Sequence, residues 1–209
     1  MKQLTDGQIA IALKPYGAAV DALVCSKIRT YISLLAKWNS RISLTTVTDA
    51  EQVLAFHFGE SLFAASSVPI LNGRLADVGT GAGFPGLPLA IANPELRVTL
   101  IEPDLKKCAF LSEVCRSVGL SSVDILRVRI EDIKSEITPF DFVTARALGQ
   151  FEKLLPWAKI HLVPSGQLVL WVGESDAAAI SARPGWKWRD RILIPGSSRR
   201  FLLVGAPEE

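Results

Sequence analysis

The segment Arg74-Leu75-Ala76-Asp77-Val78-Gly79-Thr80-Gly81-Ala82-Gly83-Phe84-Pro85-Gly86 constrains the fold more than any other part of the chain. A short apolar run ends in Asp77, glycines follow at 79, 81 and 83, and a fourth stands at 86. Leu87-Pro88-Leu89-Ala90-Ile91 then reads as an apolar helix. Strand, glycine turn and helix in that order make the first unit of an open α/β sheet. In such sheets a ligand lies across the turn, at the carboxyl end of the strand. Alternating glycines cost backbone entropy that a plain turn need not spend, and they let the backbone approach a ligand with no Cβ between.

Gly81-x-Gly83-x-x-Gly86 also matches the dinucleotide fingerprint, which on its own is weak. Asp77 argues against it. A pyrophosphate seeks bare backbone N–H groups and a helix N-terminus, with no carboxylate just before the loop. The amino group and sulfonium of S-adenosylmethionine favour an acid there, while that ligand's own carboxylate takes loop N–H groups. Asp77, Gly79 and Gly81 are therefore candidate contacts to this methyl donor.

At 209 residues the chain fits one domain with a small helical extension. The expected division is a helical extension over 1–66 and a sheet domain over 67–209. Hydrophobic residues make up 49%, enough for a sizeable core and too many for a disordered chain. A net charge of +2 permits a local basic face without demanding a polyanionic partner. Cys25, Cys108 and Cys115 lack metal spacing and read as buried reduced thiols, so no metal is expected and a reducing cytoplasm is. The N-terminus has no unbroken apolar h-region, and no later run reaches membrane-spanning length.

Residues 5–66 read as helical. Leu23, Val24, Ile28, Tyr31, Ile32, Leu35 and Trp38 recur at three- and four-residue spacing, the core face of an amphipathic helix. Polar residues from Lys37 to Thr45 break it, and Asp49 reads as the N-cap of a helix running toward Leu62. His57, Glu60 and Ser61 share a face of that helix and read as a surface hydrogen-bond set near the ligand cleft.

Strands are then expected at 74–78, 97–101, 123–129, 141–145, 167–172, 186–192 and 200–204. Helices are expected after the glycine loop and at 104–118, 150–162 and 174–183. The helix at 104–118 is expected to bury Leu105, Phe110, Leu111, Val114 and Val118. The last two strands follow a parallel series back to back, which points to an antiparallel terminal hairpin. Strand alternation there turns Trp186, Trp188 and Ile192 away from Lys187, Arg189 and Arg191.

Three strand tips carry candidate site residues. Glu102 ends the second strand about twenty residues past the glycine loop, where a ribose hydroxyl pair is held. The competing role for it is a helix-start carboxylate. Ile130-Glu131, after the third strand, offers an apolar wall and an acceptor for an adenine ring. Arg146, after the fourth, reaches toward a phosphate, a base edge or a substrate carbonyl, or else pairs with Asp77 or Glu131. Lys106, early in its helix, and Arg199-Arg200 before the last strand are placed to meet a polyanion or simply solvent.

Methyl transfer from a sulfonium needs positioning and desolvation above all. No cysteine sits at a strand tip to attack a pyrimidine. Thr144-Ala145-Arg146-Ala147 lacks the acceptors that an exocyclic amine requires. A ring nitrogen such as guanine N7 already holds an in-plane lone pair and needs no base.

The chain resembles the glucose-inhibited division protein B family, the small-subunit ribosomal RNA guanine-N7 methyltransferases, from about Leu35 to Val204. The resemblance rests on Lys37-Trp38-Asn39, Leu44-Thr45, the His57-x-x-Glu60-Ser61 set and the loop from Asp77 to Gly86. Lys106 with Phe110-Leu111, Arg129-x-Glu131, Arg146-Ala147 and Arg200-x-Leu202 add to it. It implies a Rossmann-like class I methyltransferase sheet, mostly parallel with an antiparallel last strand. It implies S-adenosylmethionine held at Gly79, Phe84, Glu102, Ile130, Glu131 and Arg146. It further implies methylation of one guanine of 16S ribosomal RNA near the decoding centre. The expected partner is the 30S subunit or an assembly intermediate, the expected state a monomer, with no membrane.

The chain departs from the family pattern. Glu60 stands where Asp is usual, Ser43 for Asn and Glu102-Pro103 for Asp-Ser. Val172-Gly173 stands for a Lys-Gly pair, which removes a cation from near the substrate. An NAD-dependent oxidoreductase and a non-catalytic RNA-binding or ligand-sensing module are the competing readings. The first lacks a Tyr-x-x-x-Lys or His-based proton relay.

Overall fold

The computed structural model describes residues 4–68, 70, 72–133 and 137–208. At its centre lies β1 (Gly73–Val78), parallel both to β2 (Leu96–Ile101) and to β4 (Phe140–Arg146). Leu75, Ala76, Asp77 and Val78 are all buried, because helices cover both faces of the sheet. β3 (Val123–Leu126) flanks β2, and β5 (Leu162–Gly173) flanks β4. β8 (Arg200–Pro207) runs antiparallel to β5 and carries β6 (Trp186–Trp188) on its outer side, while β7 (Ile192–Leu193) pairs with its start. The order is β3-β2-β1-β4-β5-β8-β6. The chain leaves β1 toward β2 on one side and returns to β4 on the other, so the crevice of such a sheet opens between β1 and β4.

Helix placement follows the strand alternation. Leu75, Leu100 and Trp171 point to the face covered by α1 (Asp6–Leu13), α2 (Ala22–Asn39), α4 (Glu60–Ser67), α5 (Gly86–Ala92) and α6 (Leu105–Val118). Ala76, Val78 and Leu170 point to the other face, under α7 (Phe151–His161) and α8 (Glu174–Ser181). Ile9, Tyr31 and Phe58 belong to the same apolar cluster as Leu75 and Phe110, so the N-terminal helices share the core of the sheet. Asp49 caps α3 (Ala50–Val53) by accepting from the Gln52 N–H at 2.9 Å. A π-helical stretch, Leu54–Gly59, then joins α3 to α4.

Several expectations are corrected. Leu23 lies outside the α2 core face and is 64% exposed. Five residues from Ile28 is 500°, which puts it on the opposite side from the Cys25, Ile28, Ile32 and Leu35 stripe. Leu105 is equally exposed, as the first residue of α6 beyond the tip of β2. β3 stops at Leu126 rather than 129, because β2 ends at Ile101, its pairing partner. β5 begins at Leu162, five residues early, through a register shift between Phe140 and Phe142. The strand expected over 186–192 is two short pieces. Trp186 and Trp188 nonetheless share a side, with rings stacked at 5.5 Å, and Lys187 points to solvent.

Candidate functional site

Asp77 sits at the end of β1 with its carboxylate turned into the interior. It is completely buried. Oδ2 accepts from the Thr80 hydroxyl at 2.5 Å and the Gly86 N–H at 2.9 Å, and Oδ1 accepts from the Thr144 hydroxyl at 3.0 Å. Burial raises its pKa to about 6 against the pull of those hydrogen bonds. The carboxylate thus knots the glycine loop rather than presenting a charge to a bound cation. Thr144 was missed in the sequence. It lies beside Asp77 in the β1–β4 register, which is the signal that would have found it.

The loop glycines differ in what surrounds them. A Cβ on Gly83 would lie 2.5 Å from both Leu87 Cδ1 and Tyr31 Oη, and one on Gly86 would lie 2.5 Å from Leu100 Cδ2. Gly81, at φ +58°, faces open space, its nearest neighbour the Gly79 carbonyl at 3.9 Å. Two glycines therefore serve packing and one leaves room. Phe84 also packs. Its ring is stacked between Tyr31 at 5.2 Å and His57 at 4.5 Å, with Phe58 edge-on. The Tyr31 hydroxyl donates to the Ala82 carbonyl, so α2 braces the loop from behind.

Beside the loop lies a cleft of about 250 Å³. Gly79, Glu102, Ile130 and Glu131 line it, as do Leu148 and Gln150. Glu102 is buried. Its Oε2 accepts from the Gly81 N–H at 3.0 Å and its Oε1 from the Asp104 N–H at 3.0 Å, so it joins the loop to the start of α6. The helix cap itself is Asp104, which accepts from the Lys107 N–H. Ile130 provides an apolar wall. Glu131 pairs with Lys153, a contact that lowers its pKa. An acid at the second strand's tip, an apolar wall at the third and a glycine with open space fit a ribose, an adenine and a close backbone approach.

Arg146 does not line this cleft. It lines a second cavity of about 370 Å³ at the ends of β4 and β5, and Leu148 lies on the wall common to both. Its partner is Glu60, at 3.4 Å, instead of Asp77 or Glu131. Glu60 is 1% exposed and also pairs with Arg200, 2.7 Å from Oε1. Burial raises the Glu60 pKa, and the two arginines pull it back. Burial lowers that of Arg146, with Glu60 opposing. His57, Glu60 and Ser61 are thus an interior group, not a surface one. The Ser61 hydroxyl donates to the His57 carbonyl, and His57 Nε2 lies 2.8 Å from the Thr45 hydroxyl. Asn39 holds that Thr45 turn through three hydrogen bonds. His57 lies on the π-helical stretch and Glu60 and Ser61 begin α4 just after it, and periodicity alone gives no sign of that stretch.

The family model for rRNA small subunit methyltransferase G matches residues 24–185. This chain belongs to that family. A ribosomal RNA small subunit methyltransferase G of Xanthomonas campestris pv. campestris (strain B100) is 34% identical over 203 residues, covering 95% of this chain and 94% of that relative. The protein of the same name from Nitrosomonas europaea is 41% identical over 162 residues, 77% and 72% of the two chains. Among solved structures, a SAM dependent methyltransferase from Aquifex aeolicus superposes with a TM-score of 0.63 at 17% identity, covering 75% of this chain and 93% of that one. Ribosomal protein L11 methylase from Lactobacillus delbrueckii subsp. bulgaricus gives 0.62 at 15%, covering 74% and 80%. The fold is that of the S-adenosylmethionine-dependent methyltransferases.

The remaining basic candidates of this family member divide. Lys106 and Arg199 are exposed, and neither has an ion pair among the described residues. Arg200 is only half-buried but committed inward, to Glu60 and, 4.8 Å from the ring centre, to Phe56. Among the described residues, no helix is long and apolar enough to cross a membrane.

Proposed function

We propose that this protein transfers a methyl group from S-adenosylmethionine to N7 of one guanine in 16S ribosomal RNA. The observation that carries the reading is the pair of cavities meeting at Leu148, one suited to an adenosyl group and one charged and apolar-walled for an acceptor. Glu102 would take the ribose, Ile130 and Glu131 the adenine, and Gly79 and Gly81 the close backbone approach. Bound there, S-adenosylmethionine supplies an electrophilic methyl carbon. The protein's part is to hold guanine N7 in line with it and to exclude water. N7 carries its lone pair in the ring plane, so no residue has to remove a proton. Asp77 contributes by fixing the loop, and Phe84 by bracing it.

In this reading residues 1–66 are a helical extension of a methyltransferase domain over 67–209. Lys106 and Arg199 meet RNA phosphates of the 30S subunit or an assembly intermediate, and the protein acts in the cytoplasm as a monomer. The test is a labelled-methyl assay on small subunits from wild-type cells and from cells lacking the gene. Transfer only to the second, mapped to one guanine N7, is the expected result. Binding of S-adenosylmethionine without transfer to either would instead indicate a sensing module.

A further inference from the structure

We infer that Arg200, held beside Arg146 by Glu60, reads the O6 carbonyl of the acceptor guanine in the second cavity. The inference deepens the guanine-methyltransferase reading and rests on it. The cavity has apolar walls, among them Leu148, Phe151, Trp171 and Val172, and a charged end made of Arg146, Glu60 and Arg200. Flat apolar walls with one polar end suit a nucleobase, whose faces are apolar and whose edges carry the hydrogen-bonding groups.

The hydrogen-bonding groups at the charged end decide which edge. Asp176 also lines the cavity, so its two arginines are balanced by two carboxylates and net charge does not choose. Arginines only donate hydrogen bonds. Arg146 Nη1 and Arg200 Nε are buried and have no hydrogen-bond partner among the described residues, and neither does Glu60 Oε1, which is nonetheless ion-paired with Arg200 at 2.7 Å. Two unpaired donors against that one charge-compensated acceptor favour a ligand group that accepts. At the purine six position guanine offers the O6 acceptor, where adenine offers an N6 amino donor. N7 must stay free to attack, so the arginines are left to O6.

Glu60 is a positioning residue. It lies between two guanidiniums that would otherwise repel, and its backbone is fixed because its carbonyl accepts from the Trp171 indole N–H at 2.8 Å. The Phe56 ring supports Arg200 from one side. The register explains why Arg200 is available. Its Cα lies opposite Gly173, next to Val172, where the family pattern has lysine.

The experiment uses 30S particles reconstituted from ligated 16S RNA. The guanine methylated by the wild-type enzyme, mapped first, is replaced by inosine, which keeps O6, or by 2-aminopurine, which lacks it. kcat/KM is measured for wild type and Arg200→Ala on each particle. Wild type should lose at least tenfold on 2-aminopurine and much less on inosine. Arg200→Ala should lose a similar factor on guanine, lose little more on 2-aminopurine, and bind S-adenosylmethionine as wild type does. Differences in intrinsic N7 reactivity cancel in this cycle. Losses that simply multiply, or wild-type kcat/KM in Arg200→Ala, would overturn the inference. Should Arg200→Ala fail to fold, Arg200→Lys should show intermediate guanine preference; full preference there would equally overturn it. Glu60→Asp should keep the preference and Glu60→Gln should lose it; Glu60→Gln behaving as wild type would remove the positioning role. Wild-type failure to methylate the guanine particle would remove the parent reading and this inference together.

Discussion

The Asp77 carboxylate accepts the Gly86 N–H across nine residues, tying the end of β1 to the first residue of α5. The glycine loop between them is closed by a side chain instead of by sheet pairing. Asp77→Ala would take from the Gly86 N–H and the buried Thr80 hydroxyl the acceptor they share, while the Thr144 hydroxyl keeps the Ala76 carbonyl. An unsatisfied buried group costs about 1–3 kcal/mol. Denaturant unfolding of Asp77→Ala should show a loss of that order, and calorimetric titration should show S-adenosylmethionine binding at least tenfold weaker. Asp77→Asn retains an oxygen for Gly86 and should fall between. Undiminished affinity in Asp77→Ala would show that the loop keeps its shape unaided.

Asp77 and His57 titrate in opposite senses over one pH range. Burial raises the Asp77 carboxyl to about 6. The native state then holds a proton that the unfolded chain has lost, so this group makes stability fall as pH rises from about 4 to 6. Burial, with help from the nearby Arg146 charge, lowers His57 to about 4. There the unfolded chain binds the extra proton below about 6.5, so its contribution is lost as pH falls. The two largely cancel in the wild type, each being worth on the order of 3 kcal/mol at two units or more of shift. His57→Gln should therefore grow more stable on acidification from pH 7 to 5, and Asp77→Asn less stable. Unfolding free energies at pH 5, 6 and 7 decide it; parallel pH profiles for all three proteins would contradict it.

The loop glycines should separate binding from folding. A side chain at Gly81 meets nothing nearer than 3.9 Å, and Gly81 donates its N–H to Glu102, which lines the cleft. A side chain at Gly83 collides with Leu87 and Tyr31, and φ there is +93°. Gly81→Val should abolish S-adenosylmethionine binding, with backbone strain as its only cost to the fold. Gly83→Ala should lose about 1–3 kcal/mol by overpacking, roughly several degrees in Tm for a chain of this size. Equal thermal shifts for the two variants, or normal binding by Gly81→Val, would argue against this division.

The sheet was legible because its signals are local. Arg74 to Ile91 announces a strand, turn and helix within eighteen residues, and each later strand begins and ends at polar or glycine punctuation. The antiparallel β8 followed from two strands standing without a helix between them. What escaped was contact between distant segments. Glu60 meets Arg200 across 140 positions, and no spacing rule links a helix face to the last strand. His57 lies on a π-helical stretch and Glu60 directly follows it, and such a stretch shifts a helix face without leaving a compositional mark. Asp77 was singled out for its charge, yet its burial reverses the role that charge suggested. A carboxylate ringed by Thr80, Gly86 and Thr144 builds the loop from within.

Arg146 lines the cavity next to the cleft beside the glycine loop and not that cleft itself, which makes its two candidate roles separable. Removing it leaves Glu60 still paired with Arg200 at 2.7 Å, so the buried carboxylate is not stranded. The stability cost should then stay below the roughly 3–5 kcal/mol of a buried pair broken outright. Arg146→Ala should fold, bind S-adenosylmethionine within about threefold of wild type, and transfer methyl groups to 30S particles at least tenfold more slowly; a tenfold rate is about 1.4 kcal/mol of transition-state stabilisation, modest for one charged hydrogen bond. Single-turnover rates at saturating donor isolate the transfer step from donor binding. A variant with normal transfer would take Arg146 out of the acceptor pocket, and one with weakened donor binding alone would move it back to the cofactor side.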